Sequence, residues 1–219
     1  MRLSAPGLFR VGDLPLSRIE AYSDGVFAIV VTLLVLEFRV PRLRGPDVEA
    51  ALLHSLRAMT PKFLSYVLSF GIVCIWWVAH HHLFRLFRKS DRGLLWFNNL
   101  FLLWLAFIPF PTGLMGDYPS QRVAVMSYGV AVGVTGLSFS WMRYYAFFIG
   151  KLTHEGIDQG LLKGAMIKSA LNPLLHFIAV LLALTSTKLA ISFYLLIPVL
   201  FFIPAKLEKH PAAPADHHR

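Results

Sequence analysis

Six apolar stretches fill most of this sequence, each close to the ~20 residues that an α-helix needs to cross a lipid bilayer. With 56% hydrophobic residues, 15% charged residues and a mean hydropathy of +0.60, the 219-residue chain carries more apolar surface than a water-soluble core can bury. We therefore predict an all-α integral membrane protein, with residues 1–210 as one six-helix domain and 211–219 as a disordered polar tail. The predicted spans lie at about 19–38, 61–84, 94–115, 121–148, 165–185 and 188–205.

The segment between the first two spans predicts a short helix of its own. Its prolines and Gly45 interrupt the chain, and Asp47 is a typical N-cap for the amphipathic residues that follow. We expect this helix to lie on the membrane surface. In the fourth span, GVAVG at 129–133 and then Gly136 have the small-residue spacing that lets two helix backbones pack closely.

Lysine and arginine residues are distributed unevenly between the two sides of these spans. Fourteen fall on the side that holds both termini and seven on the other, so we predict that both termini are cytoplasmic. Topology and anionic lipid headgroups then explain the formal charge of +9, and nucleic acid is not an expected partner. The first seventeen residues contain no unbroken apolar stretch of secretory-signal length, so we expect the N-terminus to be retained.

Ionisable and polar residues stand at the cytoplasmic end of the first span, in RIEAYSD at 18–24. The end of the second span and the start of the third reach the same side of the membrane, so a shared polar network is predicted there. Asp24 lies too deep to be left without a partner, and Arg18 or one of three consecutive histidines is the expected one. The candidate members are Arg18, Ser23, Asp24, His80, His81, His82, Asn98 and Asn99.

The three histidines do not predict a metal site, because consecutive residues of a helix point about 100° apart. We favour a structural role, in which His80 or His81 pairs with Asp24 or Ser23, and we expect no metal or cofactor. Capping of the third span and membership of the network remain equally open for Asn98 and Asn99.

Beyond Asp24, one face of the first span carries a stripe of Gly25, Ile29, Thr32, Leu33 and Leu36. Spacing alone leaves three interpretations open: contact with lipid, packing in the core, or the lining of a pore. In a pore, aliphatic rings would act as hydrophobic constrictions that gate by dewetting, with a single hydroxyl between them.

The segment RIEAYSD resembles the R-x-x-x-F-S-D signature of the transmembrane protein 175 family, potassium channels of endosomes and lysosomes with shorter relatives in bacteria and archaea. The similarity continues through GVFAIVVTLLVLEFRVP, the histidines with LF after them, and NNLFLLWLAFIPFPT. This resemblance implies a homotetramer in a prokaryotic cell membrane, with the first helix of each subunit lining a central pore. It also implies a potassium channel without a TVGYG filter, a motif that the sequence lacks. Because an aliphatic ring offers an ion no replacement ligand, we expect modest selectivity for potassium over sodium.

The resemblance also implies roles for individual residues. Ile29 would form the narrow ring and Thr32 the hydroxyl position, with Leu33 and Leu36 as further apolar rings. The arginine, serine and aspartate of the signature, here Arg18, Ser23 and Asp24, would stabilise helix packing near the pore together with a histidine of the second helix. Tyr22 replaces the family's usual phenylalanine, and its hydroxyl needs a partner if it is buried.

A secondary transporter, a membrane enzyme and a scaffold are the alternatives to a channel. A proton- or cation-coupled secondary transporter could use Asp24 and a histidine for proton exchange, but it predicts internal repeats, and Pro173 and Pro198 do not occupy matching places. A membrane enzyme is not expected, since no span carries paired carboxylates, a nucleophile with a base, or converging metal ligands. A scaffold without transport would need only the small-residue face and the interfacial helix.

Overall fold

The computed structural model describes residues 15–43 and 47–201, with the backbone alone for Phe201. Its regular elements are helices joined by short connections. A 3-10 turn over Leu34–Glu37 extends the first helix, and a π-helical turn over Tyr145–Ile149 extends the sixth. The predicted tail at 211–219 lies outside the described residues. The helices are α1 (Leu16–Leu33), α2 (Val48–Ala58), α3 (Thr60–Phe84), α4 (Arg92–Phe107), α5 (Pro109–Asp117), α6 (Arg122–Tyr144), α7 (Gln159–Ala183) and α8 (Thr187–Phe201).

Five helical segments are long and apolar enough to cross a membrane, which confirms the all-α membrane fold class. The sixth predicted span corresponds to α8, a shorter apolar helix in the part of the chain that the structure describes, and the predicted end at residue 205 lies outside that part. The fifth span begins earlier than expected, because Asp158 caps α7 by accepting a hydrogen bond from the Leu161 amide at 3.2 Å. The five long segments are Leu16–Glu37, Thr60–Phe84, Arg92–Asp117, Arg122–Ile149 and Gln159–Ala183.

The third span is two helices, α4 and α5, and not the single helix that the apolar run predicted. Pro109 has no amide hydrogen to donate to the carbonyl of Leu105, so the α-helical ladder stops there. The Ile108 amide turns to the Leu105 oxygen instead, at 3.1 Å, and Thr112 Oγ1 donates to the Ile108 oxygen at 2.8 Å. The break therefore leaves few unsatisfied backbone groups.

Helix α6 is the most enclosed of the spans, with 67% of its apolar window buried against 28–39% for the other four. Its glycines make this possible, because a methyl group at Gly129 would overlap the Tyr194 hydroxyl of α8, and one at Gly136 would lie 2.6 Å from Asn172 Oδ1 of α7. The packing role predicted for the GVAVG segment is thereby confirmed.

A proline inside α7 shapes the contact between α6 and α7. Pro173 cannot donate to the carbonyl of Ser169, four residues earlier. The Ser140 hydroxyl of α6 stands in the place of that donor: its Oγ lies 3.0 Å from the Ser169 carbonyl oxygen and 2.9 Å from the Ser169 hydroxyl. It shares its single hydrogen with the Gly136 carbonyl oxygen of its own helix, at 2.9 Å. Two buried serines thus join the helices one turn before Pro173.

The short helix expected before the second span is α2, and Asp47 caps it as predicted by accepting from the Ala50 amide at 3.1 Å. None of its residues is buried within the chain. Its position on the membrane surface stays a prediction. Its exposed apolar side chains are Val48, Leu52, Leu53 and Leu56.

Candidate functional site on helix α1

Helix α1 presents two different faces. One face packs into the subunit through Ile19, Ser23, Phe27 and Val30, all of which are buried. The predicted stripe lies on the other face, where Ile29 is 59% exposed, and Leu33 and Leu36 are 39% and 70% exposed. Among the described residues, the stripe does not pack into the core, which leaves contact with lipid or the lining of a pore from the three interpretations.

The backbone changes at the end of this face. After Leu33 the helix tightens into the 3-10 turn, and the chain then becomes extended at Phe38. Leu36, the most exposed of the stripe's side chains, lies in this turn, one helical turn beyond Leu33. The apolar stripe therefore continues to the end of the helical segment.

Thr32 is the hydroxyl-bearing residue of the stripe. Its Oγ1 donates to the Ile29 carbonyl at 2.8 Å, within its own helix. The hydroxyl proton is thus already used, and the oxygen presents its lone pairs outward. Such an oxygen suits a water molecule or a cation as its neighbour better than an acceptor group.

The buried side of α1 is joined to two other helices through Asn98 of α4. Asn98 Nδ2 donates to Ser23 Oγ at 3.0 Å, and Ser23 Oγ donates to the Ile19 oxygen at 2.8 Å. His80 of α3 lies with Nε2 2.9 Å from Asn98 Oδ1. Since an amide oxygen only accepts, this assignment places the histidine proton on Nε2. The structure thus brings together three of the predicted network residues, from three helices.

Aromatic rings enclose this network. The His80 ring stacks on Phe84 at 4.2 Å between ring centres and meets the edge of Phe27 at 5.7 Å. His80 and Asn98 are each 1% exposed and Ser23 is fully buried. With every partner fixed and water excluded, the network holds α1, α3 and α4 in one arrangement. Capping, the alternative for Asn98, is performed by Asp91, which accepts from the Leu94 amide at 2.8 Å.

Asp24 has a partner that the sequence did not predict. Its Oδ1 accepts from Trp77 Nε1 of α3 at 2.9 Å, so the expected pairing with Arg18 or a histidine is wrong within the subunit. The cause is the rotation of α3, which turns His80 into the core and Trp77 toward α1. His81 stays exposed and stacks on Trp77, with the ring centres 6.2 Å apart. In the sequence, the available signal was that Trp77 precedes His81 by four residues, which places the two side chains on the same face of α3.

Two residues of the signature lie outside the buried network. Tyr22 is 59% exposed, so the condition under which its hydroxyl would need a buried partner does not arise among the described residues. Arg18 is exposed, and its side chain makes no hydrogen bond or ion pair with the residues at 15–43 and 47–201. Both residues, with Asp24 and His81, face outward at one end of the stripe. Across these same ranges, no group of three or more His, Cys, Asp or Glu side chains could hold a metal ion.

Comparison with known proteins shows the family. A sequence profile described as the endosomal/lysosomal potassium channel TMEM175 matches residues 18–109, which include most of α1, all of α3 and α4, and the whole buried network. A potassium channel of Streptomyces collinus is 34% identical over 179 residues, covering 80% of this chain and 85% of that protein. The chain belongs to the TMEM175 family.

Two further TMEM175 comparisons define how far the likeness extends. The crystal structure of a lysosomal potassium-selective channel TMEM175 homolog from Chamaesiphon minutus has a TM-score of 0.76 and 30% identity, and covers 86% of this chain and 96% of that chain. The human endosomal/lysosomal proton channel TMEM175 is 42% identical over 102 residues, covering 43% of this chain and 20% of the human protein. This TMEM175 member is thus a multi-pass integral membrane protein of an ion-channel family, and the predicted family and protein class are confirmed.

Proposed function

We propose that four copies of this chain assemble around a central axis and form a potassium-permeable channel lined by the exposed stripe of α1. The observation that carries the proposal is the division of α1 into an anchored face and an exposed apolar face. In a family of potassium channels, an apolar face that the subunit does not cover is suited to meeting its symmetry mates.

Ile29 and Leu36 would form hydrophobic constrictions, with Leu33 between them and Thr32 as the polar position. A ring of aliphatic side chains offers no ligand that replaces the hydration shell of an ion. Potassium holds its first shell less tightly than sodium, so a narrow ring penalises sodium more. The resulting selectivity is modest, since no carbonyl-lined filter such as TVGYG is present in the sequence.

The buried network would act as the support of this pore. Ser23, Asn98 and His80 fix the inner face of α1 against α3 and α4, which sets the direction of the opposite face. Arg18, Tyr22 and the Asp24 pair lie at the same end of α1 and point away from the subunit, where neighbouring copies would meet them. A charge at membrane depth is costly unless it is paired, so contacts of Arg18 and Asp24 with groups of a neighbouring copy would be favoured.

The proposal includes an orientation in the prokaryotic cell membrane. Both termini would be cytoplasmic, in keeping with the fourteen basic residues on that side, and residues 1–210 would form a single domain. After replacement of Cys74, a cysteine at Ser120 is expected to react with an impermeant reagent added outside intact cells. A cysteine at Lys89 is expected to react only after permeabilisation, and the reverse pattern would contradict this orientation.

Single-channel recording from purified protein in planar bilayers tests the function. Ile29→Ala is expected to change the potassium-to-sodium permeability ratio and the unitary conductance. Ile178→Ala, at a 38% exposed isoleucine of α7, is the matched control and should leave both unchanged. If Ile29→Ala behaves as wild type, the constriction lies elsewhere. Saturable flux without unitary currents would indicate a carrier.

A further inference from the structure

The end of α1 remote from the buried network accepts a hydrogen bond from a lysine of α3. Lys62 Nζ donates to the carbonyl oxygen of Glu37, the last residue of the 3-10 turn, at 2.9 Å. The same ammonium pairs with the Asp117 carboxylate, with 2.6 Å between Nζ and Oδ1. One side chain of α3 thus joins the last turn of the α1 segment to the last residue of α5.

The location of Lys62 makes these partners necessary. It lies in the first turn of α3, where the helix dipole disfavours a cation. Its two acceptors, in contrast, belong to residues at C-terminal ends: Glu37 ends the 3-10 turn and Asp117 ends α5. At a C-terminal end, carbonyl groups lack helical donors and a cation is favoured. The Lys62 side chain is 13% exposed, against 52% for Asp117, so the ammonium is the enclosed partner.

The backbones around Lys62 fit closely. A Cβ atom at Gly116 would lie 2.9 Å from the Lys62 Cα, a backbone atom that cannot move aside cheaply. A Cβ atom at Gly113 would overlap the Glu37 carboxyl group. The edge of Phe38 meets the Tyr66 ring of α3 with 5.5 Å between centres, directly after the turn. The position of Glu37 relative to α3 and α5 is therefore tightly defined.

We propose that Lys62 is a positioning residue of the ion pathway, which fixes the 3-10 turn and thereby the distance of Leu36 from the central axis. This inference rests on the proposed function, since Leu36 forms a ring only if α1 lines a pore. Lys62 does not contact the permeating ion. It acts through the Glu37 carbonyl, one residue from Leu36.

A cavity of about 560 Å³ beside the ion pair makes a direct test possible. It is lined by charged and titratable residues that include Glu37, Arg39, His54, Lys62 and Asp117, so small polar reagents can reach position 62. Cys74 is the sole cysteine of the chain, and its replacement by Ala gives a background in which an introduced thiol is unique.

In that background, Lys62→Cys channels are recorded in bilayers before and after modification with 2-aminoethyl methanethiosulfonate. This reagent restores a primary ammonium at nearly the length of lysine. The unmodified variant is expected to lower the potassium-to-sodium permeability ratio about twofold or more, which corresponds to a small free-energy change. The charged reagent is expected to restore the ratio, and methyl methanethiosulfonate, which adds no charge, is not. Because modification takes place in the assembled channel, a folding defect cannot mimic rescue.

Second variants keep the outcome decisive. Lys62→Arg should keep the wild-type ratio, and Asp117→Asn should lower it in part. Arg88→Gln breaks a more exposed ion pair with Glu155, at 3.2 Å between the loops beyond α3 and α6, and should change nothing. A wild-type ratio in Lys62→Cys, or a lowered ratio that the charged reagent does not restore, would overturn the positioning role. Ile29→Ala tests the proposed function separately: if it also had no effect, the constriction would lie elsewhere than on this stripe.

Discussion

His80 of α3 and Asn98 of α4 meet at 2.9 Å between Nε2 and Oδ1, buried among aromatic rings. Through Ser23 this pair reaches α1, so a small polar group decides which face of α1 remains exposed. The network on one face of α1 therefore helps to set the orientation of the apolar stripe on the other face.

Replacing Asn98 by Leu should destabilise the protein. The variant leaves the His80 N–H and the Ser23 oxygen without their partner in a water-free site, at a cost of about 1–3 kcal/mol. Denaturant titration of purified protein in mixed micelles measures the free energy of unfolding. Asn99→Leu, at the exposed neighbouring position of the same helix, is the control and should be close to neutral. Equal effects of the two changes would mean that the network contributes nothing.

The Thr32 hydroxyl should contribute to conduction. Thr32→Val keeps the side-chain shape but removes the oxygen whose lone pairs face outward, so the unitary potassium conductance is expected to fall about twofold to tenfold, equivalent to roughly 0.4–1.4 kcal/mol. Thr185→Val is matched, since Thr185 Oγ1 donates to the Leu182 carbonyl at 2.8 Å in the same exposed manner. An unchanged conductance in Thr32→Val would assign the stripe an apolar role alone.

The Ser140 hydroxyl should contribute more to the free energy of unfolding when Pro173 is present than when it is replaced. Ser140→Ala removes the hydroxyl that lies 3.0 Å from the Ser169 carbonyl oxygen, which we expect to cost about 1–3 kcal/mol of unfolding free energy. In a Pro173→Ala background the backbone amide of residue 173 can donate to that carbonyl, so the same substitution should cost less. A double-mutant cycle measures the difference. Purely additive effects would show that the two sites are independent.

The glycines of α6 should tolerate substitution poorly. Gly129→Ala would place a methyl group against the Tyr194 hydroxyl and 2.6 Å from Val180 Cγ2, and we expect it to lower the unfolding free energy by about 1–3 kcal/mol. Gly164 of α7 has open space around its Cα, so Gly164→Ala should raise stability by up to about 1 kcal/mol. The opposite signs are the signature of close packing, and equal signs would contradict it.

Several features could be predicted because they depend on local chemistry or on length. Apolar runs of membrane length give spans whatever their neighbours are, and Asp47 caps α2 through an amide three residues away. The signature residues of α1 identify the family from the sequence alone.

Other features depend on rotation and register, which the sequence does not fix. The predicted topology places Asp24, Arg18 and the histidines at the same membrane depth. The rotation of α3 about its axis, however, determines that Trp77 is the partner of Asp24. Similarly, Pro109 separates α4 from α5, although the two helices form a single apolar run in the sequence. Side chains such as Arg18 and Tyr22 are exposed, so helix packing within the described residues does not define their contacts.

Electron cryomicroscopy of the purified protein in lipid nanodiscs tests the central claim most directly. Four copies are expected around one axis, with the side chains of Ile29 and Leu36 from every copy directed at a water-filled passage. A particle of one or two copies, or a four-fold particle in which these side chains lie among acyl chains, would contradict the proposed ion pathway.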